Sequence, residues 1–137
     1  MTSEVIYNGD LRTTCTHLKS QNHFETDAPT DNNGKGERFS PTDLLATSLA
    51  TCMVTVMGIK ARMMDFDLNN IKIEVLKKMG TDPRRVVGID LKFHIPENFA
   101  NTDEKTKIIL KHTGETCPVA KSIHPNIEVN IDWGVWG

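Results

Sequence analysis

The run from Leu44 to Ile59 carries no charge, and it constrains the fold more than any other part of the chain. It is 16 residues long and is interrupted by Thr47, Ser48, Thr51 and Thr55. A bilayer-spanning helix needs about 20 mostly apolar residues, so this run reads as a buried core helix. Its start is marked by Ser40-Pro41-Thr42-Asp43. Ser40 is a good N-cap, Pro41 suits the first helical position, and Asp43 complements the positive end of the helix dipole. The predicted helix continues to about Met64, which at 1.5 Å per residue is roughly 36 Å. It is apolar almost all round until Lys60, and such a helix is enclosed rather than laid on a surface. A chain of 137 residues can hardly enclose it alone, so a partner chain is expected.

Three segments alternate with period two, the signature of strands with one buried face. Ile71, Ile73 and Val75 oppose Lys72 and Glu74. Ile89, Leu91, Phe93 and Ile95 oppose Asp90, Lys92 and His94. Ile127, Val129, Ile131 and Trp133 oppose Glu128, Asn130 and Asp132. Gly80-Thr81-Asp82-Pro83 is turn chemistry, so the first two are expected to form a hairpin. Val5 to Tyr7 and Leu11 to Leu18 are weaker strands, split by the Asn8-Gly9-Asp10 turn signal. Residues 28 to 38 read as a polar loop. A second helix is expected from near Asn101 or Thr102 to Gly114, with Asn101 and Glu104 as a capping box. A short third helix is expected at Cys117-Pro118. Strands, a long helix, a hairpin, helices and a final strand make an α+β fold with antiparallel sheets, in one domain spanning residues 1–137.

The net charge of −2 and the lack of a basic run leave no footprint for nucleic acid or an anionic membrane. The N-terminus is polar and acidic, unlike a signal peptide, so a reducing cytoplasm is the expected setting. Cys15, Cys52 and Cys117 form no CxxC, and the five histidines have no zinc spacing. No metal or cofactor is expected. Read from its neighbours alone, Cys52 is a small buried hydrophobe, because an apolar site raises a thiol's pKa and no cation is near in sequence. Cys117 is either an inert loop thiol or an N-cap cysteine before Pro118, where the helix dipole would favour a thiolate.

Several strings together resemble one family. They are Thr26-Asp27-Ala28-Pro29, Gly34-Lys35-Gly36-Glu37, Phe39-Ser40-Pro41-Thr42-Asp43-Leu44-Leu45 with Cys52 nine residues after Asp43, and Thr116-Cys117-Pro118-Val119. The chain is similar to the OsmC/Ohr-like family over nearly its whole length. That resemblance implies an intertwined homodimer, with two long central helices packed between sheets. It also implies a thiol-dependent peroxidase reducing organic hydroperoxides or hydrogen peroxide in oxidative stress defence. Cys52 would attack the peroxide and Cys117 would resolve the sulfenic acid as a disulfide. The reductant would be a dithiol such as a lipoyl protein. The better-studied branches carry Glu ten residues before the helix cysteine. Here that position is Thr42 and the acid is Asp43, so the sequence is closer to a less characterised branch.

The family draws an arginine from an N-terminal strand, which matches Arg12 best. Arg38, just before the helix cap, is the other candidate cation. Either is otherwise a solvated surface charge. Asp43 would orient such an arginine besides favouring the helix start. Asp43 and Cys52 lie roughly 13.5 Å apart along one helix and about 180° apart around it. A cap acid serving Cys52 must therefore come from a second chain. Cys15 is expected to be structural, the histidines to lie on the surface or in loops, and Trp133 and Trp136 to pack. Two other functions compete. One is a non-catalytic module binding a small ligand. The other is a thiol carrier using Cys117 alone.

Overall fold

The structure is a computed structural model describing all 137 residues. The chain forms two compact units, Met1–Leu45 and Ala46–Gly137. Each is described in turn.

In the first unit, β1 (Ser3–Gly9), β2 (Arg12–His17) and β3 (His23–Asp27) form an antiparallel sheet in the order β1-β2-β3. Asp10 and Leu11 both take positive φ, as a two-residue hairpin turn whose twist matches its strands requires, and Gly9 takes it where the register shifts. Strand β3 has no alternating apolar pattern and was not anticipated from the sequence; its pairing with β2 makes it a strand. The loop after β3 folds back on itself. The Gly34 N–H donates to Pro29 O at 2.9 Å, and the Gly36 N–H to Ala28 O at 3.2 Å. Gly34 is required there, because a Cβ would lie 1.8 Å from the Ala28 carbonyl oxygen.

Helix α1 (Pro41–Met63) begins as expected. The Asp43 N–H donates to Ser40 Oγ at 3.1 Å, and the Ser40 N–H donates back to Asp43 Oδ2 at 2.9 Å. This is a capping box with Asp in the usual Glu position. Beyond its first turn, α1 belongs to the second unit. Ala46, Leu49, Ala50, Met53, Met57 and Ala61 bury one face in the core. Length and composition alone would let α1 cross a membrane; its buried face is that of a core helix. The outer face is not enclosed by this chain, for Ile59 is 56% and Met63 74% exposed.

The second sheet comprises β4 (Lys72–Gly80), β5 (Arg85–His94) and β6 (Glu128–Asp132), in the order β4-β5-β6. β4 and β5 form the expected hairpin. β6 joins β5 in parallel, so this sheet is mixed rather than wholly antiparallel. The chain returns through α2 (Glu104–Glu115) before β6, the kind of long crossover that parallel pairing needs. The alternating residues face the core as predicted, with Ile89, Leu91 and Phe93 buried. Trp133 and Trp136 are buried too, and the Trp136 Nε1–H donates to Phe99 O at 2.9 Å. The cap of α2 is Asp103, whose side chain accepts from the Thr106 N–H, rather than Asn101. A carboxylate two residues closer to the first helical turn satisfies the free N–H groups better.

Gly34→Ala should destabilise the chain by about 1–3 kcal/mol, the usual cost of forcing atoms into filled space. Urea denaturation measures it, and an unchanged midpoint would show that the loop is not packed as described.

Candidate functional site

The site in the second unit is built on α1 and the turn after α2. Cys52 lies beside Met53, at the edge of the buried face of α1. It is half-buried and packs against the core. α2 approaches α1 closely through Gly114, where a Cβ would come within 2.9 Å of Met57 Sδ and 3.2 Å of Met57 Cγ. Three residues later the chain reaches Cys117, which is 1% exposed. The two thiols interact there, and neither is in a disulfide.

Their environments differ. Burial pushes the Cys117 thiol above the usual range. The Ala120 N–H, 3.4 Å from Cys117 Sγ, pulls the other way with less effect. Hydrogen bonding and charge from Cys52 raise Cys117 further. Of the two readings open at Cys117, this goes against the helix-capping thiolate. After Pro118 the chain makes turns, with the Lys121 N–H on Cys117 O and the Ser122 N–H on Val119 O, and no helix forms. One N–H does reach the sulfur as a cap would, but desolvation outweighs it, so Cys117 keeps its proton.

A cavity of about 440 Å³ opens in the same unit. Its lining includes Leu49 and Met53, either side of Cys52 in sequence, and Ile123 and Val129. Neither cysteine lines it. Glu115 and His124 are its only polar lining residues. The His124 Nδ1 accepts from the Asn126 N–H at 3.0 Å. In the neutral ring that leaves Nε2 as the N–H donor.

The first unit holds the predicted cations. The hairpin register sets Arg12 directly opposite Asp27. Arg12 Nε donates to Asp27 Oδ1 at 2.7 Å, and Nη2 donates to Oδ2 at 2.8 Å. The Glu37 N–H adds a third bond to Asp27 Oδ2 at 3.2 Å. Asp27 is 1% exposed. The Arg12 hydrogen bonds hold its carboxyl below the usual range against the opposing effect of burial, and Asp27 in turn raises the guanidinium's pKa. Glu25 lies 3.9 Å from Arg12 Nε and 3.4 Å from Arg38 Nε, so the two arginines share it. Arg38 also donates to Glu37 O at 3.0 Å. Asp43 stands in the capping box of α1. The structure thus gathers Cys52 with Cys117 in one unit, and Arg12 with Arg38 in the other.

Sequence reasoning missed Asp27. It singled out Asp43 as the carboxylate to orient an arginine, whereas Arg12 is held by Asp27. The signal was present in the Thr26-Asp27-Ala28-Pro29 string, but an unrecognised β3 hid the register that joins residues 15 apart.

Residues 34–132 match the family model described as OsmC-like protein, and the chain belongs to that family. A search of curated proteins finds no significant match. Among solved structures, a Psychrobacter arcticus protein described as an osmotic stress induced and detoxification response protein is 53% identical. The match covers 96% of this chain and 94% of that one, with a TM-score of 0.90. An organic hydroperoxide resistance protein of Legionella pneumophila is 18% identical over 96% of each chain, with a TM-score of 0.72. The organic hydroperoxide resistance protein OhrB of Bacillus subtilis is also 18% identical, over 96% of this chain and 97% of that one, with a TM-score of 0.65. At that identity the last two share the fold.

Two measurements check these environments. The Asp27 carboxyl is held below its unfolded value, so its contribution to stability is complete above about pH 5 and is lost as pH falls through the folded value. The stability gap between the wild type and Asp27→Asn should stay flat from neutral pH to about pH 5 and narrow below it. Denaturation midpoints across that range report it, and a gap independent of pH down to pH 2 would contradict the pairing. Native Cys117 should also be alkylated by iodoacetamide far more slowly than the same thiol in urea. Equal rates would mean that it is neither buried nor held protonated.

Proposed function

We propose that this protein is a thiol-dependent peroxidase that reduces organic hydroperoxides or hydrogen peroxide in peroxide stress defence. The observation that carries the reading is the meeting of Cys52 and Cys117 inside one unit, with the first half-exposed and the second buried and protonated. The Cys52 thiolate attacks one oxygen of the O–O bond. That bond breaks, Cys52 becomes a sulfenic acid, and the leaving alkoxide takes a proton to become an alcohol. The Cys117 sulfur then attacks the sulfenic sulfur, forming a disulfide and releasing water. A dithiol, such as that of a lipoyl protein, reduces the disulfide and is itself oxidised. The apolar cavity near both cysteines in sequence favours organic over inorganic peroxides.

Arg12 supplies the positive charge that stabilises the attacking thiolate and donates to the peroxide, with Arg38 as the alternative. Asp43, capping α1, is the third candidate. These groups serve Cys52 of a second copy in a homodimer, with the whole chain acting as one OsmC-like domain in the cytoplasm. Two observations support the dimer. The outer face of α1 leaves Ile59 and Met63 in solvent. No apolar side chain of Met1–Leu45 is buried, while Val5, Tyr7, Phe24 and Phe39 are all exposed. A three-stranded sheet needs an apolar face covered to be stable.

The cavity also favours a second reading, a small-ligand-binding module without catalysis. The burial of Cys117 counts against a carrier using that thiol alone.

Cumene hydroperoxide at one equivalent should remove two thiols per chain, and peptide mapping should find a Cys52–Cys117 disulfide. Cys52→Ser should bring peroxide consumption to background, while Cys117→Ser should turn over once and then overoxidise to the sulfinic acid. Both thiols surviving in the wild type would favour the binding module. For the dimer, chains carrying Cys52→Ser mixed with chains carrying Arg12→Ala should regain about one intact site per mixed dimer. A fully active monomer at nanomolar concentration would sink that arrangement.

A further inference from the structure

We propose that Asp27 is a positioning residue of the peroxidase site, fixing Arg12 so that the Nη1 edge of its guanidinium is presented to the peroxide at Cys52 of a second copy. The inference rests on the peroxidase reading above.

Geometry carries the argument. Asp27 bonds Nε and Nη2, two donors on one edge of a planar group. Two parallel bonds to one carboxylate fix the plane as well as the position of the guanidinium. Glu25 and Glu37 lie 3.9 and 4.0 Å from it, too far to orient it. The carboxylate is fixed in turn by the Glu37 N–H at 3.2 Å. That N–H follows the tight loop whose closure demands Gly34. Two of the family strings therefore encode a clamp for one arginine. The remaining end, Nη1, makes no hydrogen bond within this chain, and the side chain is 21% exposed. It is a charged donor, held still and within reach of solvent.

A purely structural role accounts for less. A buried ion pair is a weak source of stability, since desolvation cancels most of its attraction. An apolar pair would fill the same space. A carboxylate held at three points around one guanidinium instead delivers a donor in a set direction, which catalysis by preorganised charge requires.

The test compares wild type, Asp27→Asn, Arg12→Ala and the double variant, each checked for fold by circular dichroism. Cys52 oxidation by cumene hydroperoxide is followed in a single turnover, and Cys52 alkylation by iodoacetamide is followed against pH. Asp27→Asn should slow oxidation on the order of 10- to 100-fold, as misplacement of a catalytic group does. It should also move the alkylation profile to higher pH, and the double variant should be no slower than Arg12→Ala. A folded Asp27→Asn protein with wild-type rate and profile overturns the proposal. Should Asp27→Asn not fold, Glu37→Pro is compared with Glu37→Ala, which loses the same carboxylate but keeps the N–H that bonds Asp27. A smaller slowing in the same direction then supports the role, and an unchanged rate overturns it. If the wild type itself ignores peroxide, the peroxidase reading fails separately. The alkylation profile then decides whether Asp27 acts on Cys52 through Arg12, with a shift supporting it and no shift overturning it.

Discussion

Burial of one side of α1 decides where both thiols go. Ala46, Leu49, Ala50, Met53, Met57 and Ala61 recur at helical spacing and share a core with Ile89, Leu91 and Phe93 of β5. Each large side chain buried contributes about 1.5–3 kcal/mol, so the rotation of the helix is not negotiable. Cys52 precedes Met53 and is therefore turned about 100° from it. That places the sulfur at the border between core and outer face, half-covered and still reachable. Gly114 then lets α2 come close enough to α1 for the following turn to bring Cys117 against the same helix. The thiol pair is a consequence of packing that would be needed for stability anyway.

The first unit is held together differently. It buries Thr26, Asp27 and Ser40 and no apolar side chain. Its order comes from sheet hydrogen bonds, a tight hairpin, a glycine-dependent loop and the Arg12–Asp27 pair. Such a unit is closely hydrogen-bonded where the clamp sits and exposes apolar surface elsewhere. Both properties suit a module that completes a site on a second copy, as the proposed dimer requires.

Much of the fold was legible because periodicity is local. The alternation in residues 71–75, 89–95 and 127–133 and the N-cap at Ser40 each need only near neighbours in sequence. What escaped needed long-range information. Strand β3 has one apolar residue in five, Phe24, and owes its conformation to register with β2. The parallel entry of β6 is decided by where α2 returns the chain. The Arg12 partner is a matter of register, and without β3 the acid offered to orient an arginine was Asp43, at the helix start. The choice at Cys117 between an inert thiol and a helix-cap thiolate stayed open because a helix-cap argument counts N–H groups, whereas burial is set by elements distant in sequence. The two candidate cysteines themselves were legible through the strings around them.

The asymmetry between the thiols bears on the order of the proposed chemistry. An attacking thiol must be reachable and charged. A resolving thiol must keep its proton and stay shielded from peroxide until it is needed. Charge on Cys52 is one of the causes that hold Cys117 protonated. Once Cys52 has become a neutral sulfenic acid, that charge is gone and one barrier to ionising Cys117 goes with it. The N–H of Ala120, already directed at Cys117 Sγ, is then placed to favour the thiolate that attacks. On the peroxidase reading, the first step thus switches on the second.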